Sequence, residues 1–316
     1  MSSQATDRAP LLCLMGPTAT GKTRLAIELC RALDGEIVGA DSVQVYRGFD
    51  IGSGKATAAE LGGVRHHLVD ILEPQQRIDA ARFAELADAA IADIHRRGKL
   101  AVIAGGTGLW LRALLSGLLS APEINPALRS ELEARWHEDR EAAHRKLTAV
   151  DPLAAAKIHV NDMVRVVRAL EYHAQTGRPL GTAREHHGGG QRRYRGLHVL
   201  LDLPLEVHRT VVSGRVEKML AAGWLEETRL LVERHGLDIG PLSSVGYRQL
   251  CEHLRGELTL EETRQAIKRA TRLYAKRQRT FFRGEREVDL RLDAREATVE
   301  RIGEQLRRRW GAGARA

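Results

Sequence analysis

Apolar runs alternate with helical periodicity along the first third of the chain. LLCLMG (residues 11–16) is a continuous apolar run that ends in a glycine loop. KTRLAIELCRAL (22–33) then repeats its apolar residues at helical spacing, giving strand, loop and helix in succession. EIVGAD (36–41) reads as a second buried strand and HLVDIL (67–72) as a candidate third. DAARFAELADAAIADIHRRG (79–98) predicts a helix stopped by glycine, and KLAVIAGGTG (99–108) predicts another strand running into glycines. Uninterrupted apolar strands between helices predict a parallel sheet covered on both faces. Ligands of such sheets gather at the carboxyl ends of the strands. That places Asp41, the loop 16–23 and the GGTG of 105–108 on one rim.

Beyond LLSGL the pattern changes. Residues 122–177 are helical in periodicity almost throughout, with no strand candidate. EHHGGGQRR (185–193) has the composition of a flexible connector, and GLHVLLDL (196–203) resumes strand character. The expected organisation is a core formed by 1–119 and 191–316, with an all-helical insertion domain at 120–190. The core is mostly helical from 205 onward, and RRRWGAGARA (307–316) is expected to lack order.

Hydrophobic residues at 43% and charged residues at 28% fit an ordinary globular protein, and no apolar run reaches the roughly 18 to 20 residues of a membrane span. The polar start MSSQATDRAP has no signal-peptide apolar region, so a cytoplasmic protein is expected. Cys13, Cys30 and Cys251 are scattered and read as buried reduced thiols. Charge is more informative. Residues 1–190 balance 23 basic against 23 acidic side chains, whereas 191–316 hold 26 basic and 18 acidic and so carry the whole excess of +8. A basic C-terminal region suggests a polyanionic partner, because each neutralised phosphate releases counterions.

GPTATGKT is a complete phosphate loop in the strand-to-helix setting that such a loop requires. The fold class expected is therefore α/β, a P-loop NTPase-like parallel sheet flanked by helices. Gly16, Pro17, Thr18, Ala19, Thr20 and Gly21 would line a diphosphate, the glycines letting the main-chain N–H groups of the loop wrap it, aided by the helix N-terminus. Lys22 would bridge phosphate oxygens and the Thr23 hydroxyl would hold Mg²⁺. Asp41, ending a strand beside this loop, is either a cap or magnesium-shell group or a general base. Gln44 and Tyr46 would flank it, able to hydrogen-bond or stack on a planar substrate. Thr107 offers a hydroxyl from the glycine-rich turn, which could equally be a plain tight turn.

IKRATRLYAKRQRTFFR (267–283) is the last constellation. On a helix, Ile267, Ala270, Thr271, Tyr274, Gln278, Phe281 and Phe282 fall on one side. Arg269, Arg272, Lys276, Arg279 and Arg283 fall on the other, with no acid from Gln265 to Gly284. A solvated face usually mixes signs, so this basic stripe points to nucleic acid.

Taken together these stretches resemble the tRNA dimethylallyltransferase (tRNA isopentenyltransferase) family. The resemblance is carried by GPTATGKT, ADSVQVYRGFDIGSGKA (40–56), GGTGLWLRALLSGL (105–118), DPLAAAKIHVNDMVRVVRALE (151–171), VGYRQ (245–249) and ATRLYAKRQRTFFR (270–283). It covers about residues 11–284. It implies transfer of a dimethylallyl group from dimethylallyl diphosphate to N6 of adenosine 37 of tRNA, next to the anticodon, with release of diphosphate. By resemblance Thr18 to Thr23 line the donor site, Arg215 supplies a further cation, Asp41 is the base, and Mg²⁺ assists. Also by resemblance, tRNA contacts come from Asp41, Ser42, Val43, Gln44, Thr107 and Arg129. Further contacts are implied for Val164, Arg165, Val166, Val167 and Arg168, and for Ser243, Ser244, Val245, Gly246, Tyr247 and Arg248. The last set is Lys276, Arg277, Gln278, Arg279, Thr280, Phe281, Phe282 and Arg283. A monomer acting on the anticodon arm is expected. The family's GTAKP reads GSGKA here, Trp110 replaces a commoner tyrosine, and TFFR replaces a usual tryptophan with phenylalanine.

Two other enzymes share the core motifs: a P-loop kinase, which leaves the basic stripe unused, and an adenylate isopentenyltransferase, which needs neither stripe nor insertion. A non-enzymatic RNA-binding module would not need Lys22, Asp41 and Thr107 together.

Overall fold

The computed structural model describes residues 11–119, 122–187, 192–285 and 287–310. The chain forms two compact units, one drawn from both ends of the sequence and one spanning Ser116–Gln191, where the periodicity alone suggested 120–190. In the first unit β1 (Leu11–Met15) leads to α1 (Lys22–Ala32), β2 (Gly35–Ala40), α2 (Ala58–Leu61), β3 (His66–His67), α3 (Ala80–Arg96), β4 (Leu100–Gly105) and α4 (Gly108–Ser116). The second unit holds α5 (Pro126–Glu138), α6 (Arg140–Val150), α7 (Pro152–Ala155), α8 (Met163–Thr176) and α9 (Leu180–His187). The chain then returns through β5 (Gly196–Asp202), α10 (Leu205–Ala221), α11 (Trp224–His235), a 3₁₀ turn (Gly240–Ser243) and α12 (Tyr247–Leu254). It finishes with α13 (Leu260–Arg283), β6 (Leu290–Asp293) and α14 (Val299–Trp310).

All six strands run parallel in the order β3-β2-β4-β1-β5-β6. Every residue of β1 and β2 is buried, because helices cover both faces, which is why these strands read as unbroken apolar runs. Leu12, Leu14, Val102 and Val199 share one core with Leu25 and Leu29 of α1 and with Ile302 and Leu306 of α14. The register sets Met15 and Ala40 each opposite Gly105, so the loops leaving β1, β2 and β4 start from one level.

Three details differ from the sequence reading. The third strand is only His66–His67, since Leu68 and Asp70 adopt left-handed backbone (φ 61° and 56°) and break the ladder. A sixth strand, β6, was not expected. The tail through Trp310 is helical rather than unordered, because Ile302 and Leu306 give α14 a face to bury; residues 311–316 lie outside the described residues. The expected connector 185–193 falls partly outside them too, while Arg192 and Arg193 at its end pair with Asp289 and Asp88.

In the second unit Asn125, Asp139, Asp151 and Asp162 each accept a main-chain N–H as N-caps of α5, α6, α7 and α8. Leu132, Leu147, Val166 and Leu170 form its core.

Candidate active site

The phosphate loop joins β1 to α1, and Gly21 supplies the left-handed turn (φ 79°) that starts the helix. Lys22 Nζ donates to the Pro17 carbonyl at 2.6 Å, and the Thr20 hydroxyl donates to the same oxygen at 3.0 Å. The Thr18 peptide is held at both ends. Its N–H donates to Gln278 Oε1 at 2.9 Å, and its carbonyl accepts from His208 Nε2 at 2.7 Å. The amides of Ala19, Thr20 and Gly21 meet no acceptor among the described residues. Burial, and then the nearby Arg215 guanidinium, pull the Lys22 ammonium down from 10.5 to about 7, with Asp41 opposing. Arg215 is itself lowered by burial and supported by Asp41. Two desolvated cations and one carboxylate therefore share the mouth of this loop.

Asp41 follows β2. Its Oδ1 accepts the N–H of Val43 at 2.9 Å and of Gln44 at 3.3 Å, so it caps a turn, no helix starting there. Oδ2 accepts no hydrogen bond from the described residues, and the carboxylate lies within electrostatic reach of Lys22, Arg215 and the half-buried Tyr274. One oxygen of the carboxylate thus holds the turn, and the other is left without a hydrogen-bond donor among the described residues. The Thr107 hydroxyl accepts the Ser42 N–H at 3.1 Å, and the Thr107 N–H donates to Ala40. The two rim loops predicted to meet do meet.

The segment after Asp41 is a network that sequence reading did not foresee. Gln44 Nε2 donates to the carbonyls of Ser53 and Gly54, so its amide nitrogen holds a loop. Gly54 is left-handed (φ 68°), and a Cβ there would come within 2.0 Å of Arg215 Nη2. Glycine is needed both for the turn and for the approach of the guanidinium. Lys55, 7% exposed, donates to the Tyr46 carbonyl and Asp50 and pairs with Asp70, which ties this turn together beside Ala56, the residue that stands where the family's proline would be. Glu227 of α11 accepts the N–H groups of Asp50, Ile51 and Gly52 and the hydroxyl of Tyr247. Tyr46, foreseen as a stacking platform, is buried with its edge toward Phe49, and Trp110 stacks on Phe83 in the core.

Helix α13 begins with a capping box of Thr259 and Glu262 and divides into two faces. Arg269, Arg272, Lys276, Arg277, Thr280 and Arg283 are exposed, with Leu273 standing 60% exposed among them. Arg279 corrects the stripe. It is 9% exposed, with Nε on Asp202 at 2.7 Å and Nη2 on the Leu203 carbonyl at 2.6 Å. It sits at the margin of the stripe, where the turn of the helix brings it against the end of β5. Gln278 and Phe282 are buried too, so neither offers a side chain to RNA, while Phe281 packs against Gly108 with Arg112 over its ring at 4.3 Å. Arg279→Met is expected to lower stability by about 1–3 kcal/mol, the cost of losing charge-assisted hydrogen bonds. A denaturant titration measures it, and an unchanged midpoint would return Arg279 to the exposed stripe.

Of the 243–248 segment, Ser243 and Arg248 are exposed, Ser244 and Val245 are half-buried, and Gly246 and Tyr247 are inside. Tyr247 packs beside Phe49 and Trp224, which removes it from the contact set. In the second unit Val164 and Arg165 are exposed, whereas Val166 and Val167 belong to the core and cannot contact a ligand with their side chains. Arg129 and Arg168 both bind Oε2 of the fully buried Glu171 at 2.7 Å, and Asn125 N–H donates to its other oxygen. These bonds, with the two arginine charges, hold the Glu171 carboxyl below its usual range against the effect of burial.

The chain is similar to known proteins along most of its length. The sequence profile of IPP transferases matches residues 44–285. A tRNA dimethylallyltransferase of Geobacter metallireducens is 46% identical over 89% of this chain and 92% of its own length. One from Anaeromyxobacter dehalogenans is 49% identical over 88% and 93%. The crystal structure of a tRNA isopentenylpyrophosphate transferase from Bacillus halodurans superposes with a TM-score of 0.70 at 36% identity, over 95% of this chain and 96% of that one. A eukaryotic dimethylallyltransferase acting on tRNA gives a TM-score of 0.73 at 28% identity, over 90% and 74%.

Proposed function

This chain belongs to the IPP transferase family, and we propose that it moves a dimethylallyl group from dimethylallyl diphosphate to N6 of adenosine 37 in tRNA, beside the anticodon. The observation that carries the reading is the convergence of Lys22, Arg215 and Asp41 at the mouth of the phosphate loop. Diphosphate is what a kinase loop and this loop must both hold; here it is the leaving group. The allylic carbon–oxygen bond breaks and its electron pair goes to the diphosphate, where Lys22, Arg215 and the free loop amides stabilise the growing charge. The N6 lone pair forms the new carbon–nitrogen bond, and the N6 proton passes to Asp41 Oδ2.

The Thr23 hydroxyl has no partner among the described residues, and they include no cluster of three or more His, Cys, Asp or Glu suited to a metal. One hydroxyl together with the donor's phosphate oxygens fits Mg²⁺, which is usually bound through few protein ligands. When bound it would add neutralising charge on the leaving group. The exposed cations of α13 suit the backbone of the anticodon arm. We take the protein to act as a cytosolic monomer; no helix among the described residues is long and apolar enough to cross a membrane.

Labelled dimethylallyl diphosphate offered with tRNA or with AMP tests the reading. Label is expected in tRNA, at the nucleoside of position 37, and a transcript with guanosine there should stay unlabelled. Label on AMP alone would overturn it.

The ammonium of Lys22 gives a pH prediction. In the free protein it loses charge as pH rises through about 7, whereas a bound diphosphate favours the charged form. Binding therefore takes up a proton above neutrality, and the contribution of Lys22 to affinity falls by up to about tenfold per pH unit there. Calorimetric titration of inorganic diphosphate into wild type and Lys22→Met, below and above pH 7, checks this. Parallel pH dependence in the two proteins would mean that Lys22 stays charged throughout.

A further inference from the structure

We propose that Gln278 is a positioning residue that sets the distance between the leaving-group loop and the proton-accepting rim. The inference rests on the prenyl-transfer reading above. The ladder between β1 and β4 ends at the pair Met15–Gly105, and beyond it the two loops leave the sheet without a further rung. Gln278 supplies the tie. Its side chain, in a residue only 7% exposed, accepts the Thr18 N–H at 2.9 Å through Oε1 and donates to the Gly106 carbonyl at 2.9 Å through Nε2. A Cβ on residue 106 would stand 2.5 Å from that nitrogen, so the glycine leaves room for the amide and nothing more.

From Gly106 the connection runs on to the base. Thr107 donates its N–H to Ala40 and holds Ser42 through its hydroxyl, and Ala40 and Ser42 flank Asp41. On the opposite side of the Thr18 peptide, His208 of α10 grips the carbonyl. One carboxamide therefore joins the phosphate loop to the turn after β4, and Thr107 of that turn holds both neighbours of Asp41. Group transfer needs the attacking nitrogen and the allylic carbon about 3–3.5 Å apart at the start, and a displacement of about 1 Å can cost about 10²-fold. A residue that fixes the loop spacing controls that distance without touching either substrate.

Gln278→Met fills the same volume and makes neither bond; Gln278→Glu keeps the acceptor for Thr18 and loses the donor to Gly106. Both are expected to lower kcat, the methionine variant by about 10²-fold, while tRNA Kd and donor KM stay close to wild type. Single-turnover rates, filter-binding affinities and thermal midpoints are measured side by side. Unchanged kcat overturns the proposal. A parallel loss of tRNA affinity overturns it in favour of RNA contact, and a kcat that merely follows the thermal midpoint across the two variants overturns it in favour of packing. Wild type without activity on tRNA would instead strike the prenyl-transfer reading.

Discussion

Asp41→Asn is expected to lower kcat by about 10²- to 10⁴-fold, the usual worth of a general base, with little change in tRNA affinity. The substitution is a clean probe because of how the carboxylate is used. Asparagine keeps an oxygen at Oδ1 for the amides of Val43 and Gln44, so the turn survives. What disappears is the proton acceptor at Oδ2 and the negative charge facing Lys22 and Arg215. Asp41→Ala would remove the cap as well and confuse the two roles. Single-turnover prenylation with saturating tRNA measures the effect. Turnover near wild type would leave Asp41 as a cap alone.

Reversing Arg269, Lys276 and Arg283 to glutamate is expected to weaken tRNA binding strongly and to flatten its salt dependence. Counterion release predicts a loss of about 0.7 to 0.9 in logarithmic slope per phosphate contact, so about 2 to 3 for the three together. These three are exposed and make no ion pair with the described residues, whereas Arg279 is anchored to Asp202 and is left alone. The fold should hold, because Ile267, Ala275, Gln278 and Phe282 carry the packing on the other face. Affinity across a salt series, with circular dichroism as control, decides it. Equal slopes in wild type and variant would make the stripe a solvated face. Backbone contacts position without reading sequence, so the loss should be alike for every tRNA substrate.

Elements whose signal is local were legible in the sequence. The phosphate loop, the buried strands and the helical insertion each declare themselves within about twenty residues, through glycine placement or periodicity. Most of what escaped depends on contacts that no local pattern marks. Periodicity puts Arg279 at the margin of a basic face; only Asp202, 77 positions away, shows that it points inward. Gln278 reads as an ordinary inward-facing polar residue until Thr18 and Gly106 are seen on either side of it. Lys55 sat in a segment that departs from the family's pattern, yet it ties Tyr46, Asp50 and Asp70 together. β6 was missed because four residues are too short for a strand pattern, and β3 was overdrawn because an apolar run carries no mark of where its backbone turns left-handed.

The three successive amides of Asp50, Ile51 and Gly52 converge on a carboxylate of the protein itself, Glu227. Such concave rows of N–H groups are receptors for anions in general. The first unit therefore holds one such row in the phosphate loop and another at residues 50–52, the second occupied by Glu227. Glu227 satisfies three main-chain donors at once and so ties the loop that follows Asp41 to α11 through a residue far from it in sequence.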